Sequence, residues 1–346
     1  MKQNIAILGA TGAVGREFLS VLEQRRWEIG TLRLLASARS AGTKIAFGGR
    51  DIVVEEVSER SFDGIDLALF SAGAAASRQW APVAIEAGAR VVDNSSAFRM
   101  EPHVPLVVPE INPQAVGDAP LIANPNCSTI IMNMAVWPLH RRHRVKRIAV
   151  CTYQAVSGAG MQAMLELENQ TRDLLAGRPI EPRIFPFQSA FNLFSHNTKI
   201  GDDGYNVEET KMIQETRKIF AAPDLAITAT CIRVPVLRTH SESVNLTFAE
   251  PVSETEVREI LAGAPGVALI DDRAANRFPM PIDAAGQDAC YVGRIRQDVS
   301  QPDGRGIELF VVGDQLRKGA ALNAVQIAEL LSTRPTKPGL APGQGV

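Results

Sequence analysis

Cysteine is scarce: four residues in 346, with no CxxC pair among them. That excludes a disulfide scaffold and a paired-thiolate zinc site. No apolar run approaches the roughly 18 residues that a membrane helix needs. The N-terminal Met1-Lys-Gln-Asn4 leads straight into Ile5-Ala-Ile-Leu-Gly9, an apolar stretch too short for a secretion signal. Reduced thiols and a cytoplasmic setting are therefore expected. An excess of one charge is also missing. The chain has 36 basic and 38 acidic residues, net −2, which argues against nucleic acid or a membrane surface as a partner. There is no HExxH motif, Asp-rich loop, Walker lysine motif or GxSxG, so no metal is expected. What is present is ordinary globular material, 45% hydrophobic and 21% charged, with a length suited to two domains.

The first third alternates strand and helix signals. Apolar runs at 4–8, 31–36, 52–57, 67–70 and 90–93 read as strands, with helical periodicity after residue 15 and over 77–87. This predicts α/β architecture: an N-terminal Rossmann-type, doubly wound parallel sheet. After about residue 126 the character changes. Longer strands at 146–153, 226–234, 244–249 and 307–312, with helices at 161–175 and 208–220, predict an α+β second domain. The expected division is a nucleotide domain over 1–126, rejoined by a helix at 323–332, a catalytic and dimerisation domain over 127–322, and a mobile Pro/Gly-rich tail over 333–346.

Gly9-Ala-Thr11-Gly12-Ala13-Val14-Gly15 sits between the first strand and the first helix. Such a turn brings backbone N–H groups and a helix N-terminus to a phosphate. Its spacing is GxxGxxG, and a turn that needs glycine only for backbone reasons remains open. An NAD site usually carries an acid at the end of the second strand, against the ribose hydroxyls. Here that place reads Ala36-Ser-Ala-Arg39-Ser40. A guanidinium and a hydroxyl suit a 2′-phosphate, so NADP is the expected cofactor, with an ordinary surface arginine as the alternative. The strand at 67–70 ends in Ser71-Ala-Gly73, a second turn on the same side.

Cys151, Cys231 and Cys290 lie in strand patterns and read as small buried residues. Cys127 differs. It follows Asn124-Pro-Asn126 and opens an apolar helix, where the dipole lowers a thiol pKa. Local sequence leaves a nucleophile and a buried turn cysteine equally open. Among the histidines, His140 and His143 lie in a basic segment read as solvated. His103 follows a proline in a loop, and His196 is undecided. His240 falls in a turn between two strands, where a histidine without a role is the simpler reading.

Seven segments, in order along the chain, resemble the aspartate-semialdehyde dehydrogenase family. They are the glycine turn, Asp93-Asn-Ser-Ser-Ala-Phe-Arg99-Met, Asn124-Pro-Asn126-Cys127-Ser-Thr, Tyr153-Gln154-Ala-Val-Ser157-Gly158-Ala-Gly, the stretch from Glu208 to Lys211, Arg233-Val-Pro-Val with His240-Ser-Glu, and Leu316-Arg-Lys-Gly-Ala-Ala. The resemblance implies NADPH-dependent reductive dephosphorylation of β-aspartyl phosphate, on the route to lysine, threonine and methionine. It implies Cys127 as the nucleophile that forms a thioester and His240 as general acid/base. Gln154 would orient the substrate. Arg233 and Glu208 would hold the amino-acid end, and Arg99, Asn126 and Lys211 the phosphate. Ser157 and Gly158 would approach the nicotinamide. A homodimer is implied as well. One departure is Asp314-Gln315, where the family commonly has Asn after the Asp, so that the cofactor contact of Gln315 carries an extra methylene. N-acetyl-glutamyl-phosphate reductase and an inactive NADP-binding paralogue remain as alternatives. The first would leave Glu208 without an ammonium partner, and the second would be expected to lose Cys127 or His240.

Overall fold

The computed structural model describes residues 2–332, so the tail expected at 333–346 lies outside the described residues. The first apolar run forms β1 (Gln3–Leu8), and the glycine turn leads from it into α1 (Ala13–Gln24). There follow β2 (Ile29–Ala36), β3 (Lys44–Phe47), β4 (Arg50–Glu56), β5 (Leu67–Phe70), α2 (Ala74–Glu86), β6 (Arg90–Asp93) and β7 (Leu121–Ala123). The strands order as β3-β4-β2-β1-β5-β6-β7, all parallel except the β3/β4 pair. All four residues of β5 are buried. A parallel strand covered on both faces has no polar side, so it reads as a continuous apolar run. β2 and β5 flank β1 on opposite sides. The crevice at their carboxyl ends is the switch point where doubly wound sheets bind ligands.

The second half begins with α3 (Cys127–Arg142), β8 (Val145–Gln154), α4 (Met161–Leu175) and β9 (Phe194–Ser195). It continues through α5 (Val207–Ile219), β10 (Ala226–Arg233), β11 (His240–Phe248), α6 (Glu254–Ala262), β12 (Val267–Leu269), α7 (Pro281–Ala284), β13 (Cys290–Gln297) and β14 (Gly306–Gly313). These strands form a mixed sheet, β12-β13-β14-β11-β8-β10-β9. α3 is apolar all round because the sheet, α5 and α6 enclose it. A π-helical turn, Arg317–Ala321, then leads to α8 (Leu322–Ser332), whose Val325, Ala328 and Leu331 pack in one cluster with Ile7, Phe18 and Leu22. The architecture is the expected one: a parallel α/β unit followed by an α+β unit.

Two ions tie the units together. Arg317 reaches Glu17 of α1 at 2.9 Å and Asp288 at 2.6 Å. Arg238 reaches the same Glu17 at 3.0 Å and Asp314 at 2.7 Å.

Candidate active site

The carboxyl ends of β1 and β5, the N-termini of α1 and α3, the turn after β8 and the start of β11 converge on one cleft of about 610 Å³. Asn126 is the N-cap of α3: its side chain accepts the Thr129 N–H at 3.1 Å. A polar cap satisfies donors that the helix start leaves free. It also fixes Cys127 as the first helical residue, with its side chain partly exposed to the cleft.

Cys127 Sγ lies 3.4 Å from His240 Nε2. The two residues are 113 positions apart in sequence, and β11 brings them together. The turn expected at His240 is not found. His240 is the first residue of β11 and fully buried. The Ala155 N–H donates to its Nδ1 at 3.0 Å. In a neutral ring this places the proton on Nε2, facing the sulfur. The preceding Thr239 is buried with φ +86°, a strained conformation for a β-branched residue. Gln315 holds that strain by accepting the Thr239 N–H at 2.7 Å.

The expected fall of the Cys127 thiol does not occur. A helix terminus contributes roughly 0.3–1 kcal/mol, less than one pKa unit. Removal from water and the nearby Glu208 outweigh it, with Arg99 and Arg233 pulling the other way, and the thiol is pushed up to about 12. Burial, with Arg233 and His196 adding to it, pushes His240 down to about 3. The resting pair is a neutral thiol and a neutral imidazole.

The charged groups are arranged in pairs. Arg99 Nη1 meets Glu215 Oε1 at 3.0 Å, and Glu215 Oε2 accepts the Asn126 N–H at 2.6 Å. Lys211 Nζ meets Glu208 Oε2 at 3.1 Å. Glu208 Oε1 accepts from Asn126 at 2.7 Å and from Gln154 at 3.1 Å. Burial raises the Glu208 carboxyl, but Lys211, His196 and Asn126 hold it well below the usual carboxylate range. Gln154 also donates to Ser128 Oγ at 2.8 Å, and its own Oε1 is buried without a partner. Arg233 donates to Ala155 O at 2.7 Å and to His196 Nε2 at 2.8 Å. Gly158 lies against this group: a Cβ there would stand 3.2 Å from Arg233 Nη1 and 3.4 Å from His240 Cε1.

The other wall fits a dinucleotide. Gly9 takes φ +89°, and a Cβ on it would stand 2.4 Å from Ser71 O, so only glycine lets β1 and β5 approach there. Gly12 is the N-cap of α1, whose first turn carries no acid. Gly12, Ala13, Val14, Ser71, Gly73, Ser157 and Gly158 all line the cleft. Gly9 and Thr11 do not; Gly9 shapes the turn beneath it. Arg39 and Ser40 also lie outside the cleft lining, on the 3-10 turn after β2, with Arg39 exposed. Gln315 lines the cleft, but its amide is already used by Thr239 and by Ser157 Oγ.

Three smaller expectations fail for packing reasons. His140 is not solvated: it stacks between Trp137 and Phe220, and its Nδ1 accepts the Val145 N–H. His143 is bonded to Glu256 at 2.8 Å. Cys151 faces the open side of the second sheet and is only half-buried, unlike Cys231 and Cys290. Glu215 and His196 are site residues that the sequence analysis did not select. Glu215 stands seven residues after Glu208, two helical turns along the same face of α5, and that spacing was visible. No group of residues able to hold a metal occurs among the described residues.

Known proteins resemble this chain over nearly its whole length. Residues 4–119 match the semialdehyde dehydrogenase NAD-binding domain model, and residues 136–318 match the semialdehyde dehydrogenase dimerisation domain model. Aspartate-semialdehyde dehydrogenase of a Synechocystis species is 56% identical over 95% of this chain and 97% of its own. The Bacillus subtilis enzyme of the same name is 47% identical over 95% and 97%. The crystal structure of aspartate semialdehyde dehydrogenase II from Vibrio cholerae, complexed with ASA, superposes with a TM-score of 0.93. It is 45% identical over 96% of this chain and 98% of that one.

Proposed function

This chain belongs to the aspartate-semialdehyde dehydrogenase family, and from that premise we propose that it interconverts β-aspartyl phosphate and aspartate semialdehyde with NADP, through a thioester on Cys127. The observation that carries this reading is the 3.4 Å contact between Cys127 Sγ and His240 Nε2, in a cleft shared with the N-terminus of α1. Cys127 attacks the acyl carbon; phosphate is a good leaving group and departs with the thiol proton. The thioester that remains is electrophilic where a free carboxylate is not. NADPH, when bound, would supply the hydride that reduces that carbon; the C–S bond then breaks, and Cys127 regains its proton from solvent as aspartate semialdehyde leaves. Until that bond breaks, the neutral His240 ring donates a hydrogen bond from Nε2–H to the substrate oxygen as charge develops there. The Ala155 N–H on Nδ1 withdraws electron density from the ring and makes that proton a better acid.

Arg233 holds the substrate carboxylate and Glu208 its ammonium. Lys211 and Arg99, together with Asn126, donate to the phosphate while each cation keeps its carboxylate partner, Glu208 and Glu215. Gln154 orients the acyl group. Gly12, Ala13, Val14, Ser71 and Gly73 receive the dinucleotide, and Arg39 with Ser40 the 2′-phosphate. The absence of an acid at the end of β2 supports NADP over NAD. The enzyme works as a homodimer in the synthesis of lysine, threonine and methionine.

The test is NADPH formation from aspartate semialdehyde and NADP⁺. Turnover is expected to need phosphate and to fall at least roughly 10³-fold in Cys127→Ala. Turnover without phosphate, or in the variant, would overturn the thioester route. Turnover of the N-acetylated homologue alone would move the substrate assignment.

A further inference from the structure

Among the described residues, Arg233 is the cation of the cleft to which no carboxylate is paired. Arg99 has Glu215 and Lys211 has Glu208, each in an ion pair. Arg233 is just as deeply placed, 3% exposed, yet its partners are all uncharged. Nη1 donates to the Ala155 carbonyl, Nη2 donates to His196 Nε2, and the face of Phe185 lies 5.3 Å away. Its Nε is buried without a partner. A buried arginine is ordinarily neutralised by an acid, because an unanswered charge is costly away from water. Glu208 acts on Arg233 only from a distance, without contact, and a cleft that leaves one guanidinium free of any carboxylate contact has kept it for an anion that arrives from outside.

His196 makes that possible. A guanidinium has donors only, so His196 Nε2 must accept and the ring is neutral. Its proton is then on Nδ1, 3.3 Å from Thr198 Oγ1. Thr198 Oγ1 also accepts the Glu208 N–H at 3.3 Å, which ties the group to the start of α5. We propose that His196 is a positioning residue for substrate recognition: it orients Arg233 through a neutral acceptor and so leaves the guanidinium charge free for the substrate's α-carboxylate. This rests on the activity proposed above. Burial, together with Arg233 and Lys211, keeps the imidazole uncharged by pushing it down to about 4, against the opposite pull of Glu208.

A carboxylate at position 196 would hold Arg233 as firmly but would cancel its charge. Three variants therefore separate orientation from charge. His196→Ala removes the acceptor. His196→Gln restores a neutral acceptor at about the reach of Nε2. His196→Glu offers a charged one. KM for aspartate semialdehyde, kcat, and KM for NADP⁺ are measured on each full-length protein with phosphate present. The Ala variant is expected to raise KM for aspartate semialdehyde roughly ten- to a hundredfold, as for a lost hydrogen bond to a charged group, with a much smaller change in kcat. The Gln variant should return to within about threefold of the wild type, because neutral acceptors are interchangeable here. The Glu variant should bind aspartate semialdehyde at least as poorly as the Ala variant. KM for NADP⁺ should not move. Equal KM in the wild type and the Ala variant, a Glu variant as good as the Gln variant, or a parallel rise in both KM values overturns the assignment. If the Ala variant does not fold, the Gln/Glu comparison decides alone. A wild type that turns over with unchanged variants sinks only the role of His196. A wild type without turnover sinks the proposed activity and this inference with it.

Discussion

Cys127 and His240 face each other as an uncharged pair, and this fixes how the thiol behaves before substrate arrives. With the thiol pushed up to about 12, the thiolate is a small fraction of the free protein at neutral pH. Alkylation of Cys127 by iodoacetamide, followed by peptide mapping, should therefore climb about tenfold per pH unit between pH 7 and 9, with no plateau. A plateau with a midpoint below pH 8 would mean that the helix terminus, Arg99 and Arg233 outweigh burial after all. At this scale Asn126, Cys127, Gln154 and Glu208 were picked out by their place in the family's motifs rather than by residue type alone, and all four line one cleft. Their mutual relations were not legible in the sequence. Nothing local to His240 predicts the Ala155 N–H on its Nδ1 or the strained Thr239 before it. Both depend on pairings between strands that are distant in the chain.

β11 shows how a buried polar residue disguises an element. Its expected span, 244–249, misses the first four residues because His240 and Glu242 break the alternation of apolar and polar side chains. The strand begins at His240, where Ser241 pairs with Val312 of β14 on one side and with Tyr153 of β8 on the other. The strands of the first sheet were easier to see. β5 is apolar throughout and β6 holds Val91 and Val92 between charged ends, and the bounds of both fall where the sequence places them, whereas β3, β7, β12 and α6 are short or weakly patterned and were missed. Glu242 has a stability consequence of its own. Both carboxylate oxygens are buried without a partner, and burial raises its pKa well above the usual range. The folded state then holds a proton that the unfolded state gives up above its ordinary pKa. Stability from this group is thus present at low pH and lost as pH rises. In Glu242→Gln that dependence disappears. The variant should melt several degrees above the wild type at pH 8 and close to it at pH 5. Parallel melting curves across that range would show that Glu242 is paired in solution.

The second sheet is covered on one side by α3, α5 and α6, while its other side is open in a single chain. On the open side, successive strands place Tyr153 beside Ser241, Cys151 beside Ser243, and Ser243 beside Phe310. Tyr153 is 39% exposed, and its ring lies 6.5 Å from that of Phe310. Small hydroxyl side chains around two aromatic rings, with Arg294 and Arg296 on the neighbouring β13, line a shallow hollow of about 460 Å³ on this face, which we propose a second copy covers. A two-fold axis puts the same patch on both partners, so one substitution acts twice. A stable pair of this kind covers about 800 Å² per partner. Ser243→Arg brings a long cation to the middle of the patch in each copy. Light scattering should give the wild type twice the 37.3 kDa chain mass, and the variant a mass near that of one chain. The variant should still bind NADP⁺, because the glycine turn, α1 and β5 belong to the other sheet. A wild type that weighs one chain, or a variant that stays paired, would mean that the open face of the sheet is not where two copies meet. The geometry couples this face to the chemistry through one strand: Ser241 and Ser243 point out from β11, while His240 and Glu242 on the same strand point in. Pairing through this face would stiffen the strand that carries His240, and the monomeric variant is expected to lose kcat before it loses affinity for NADP⁺.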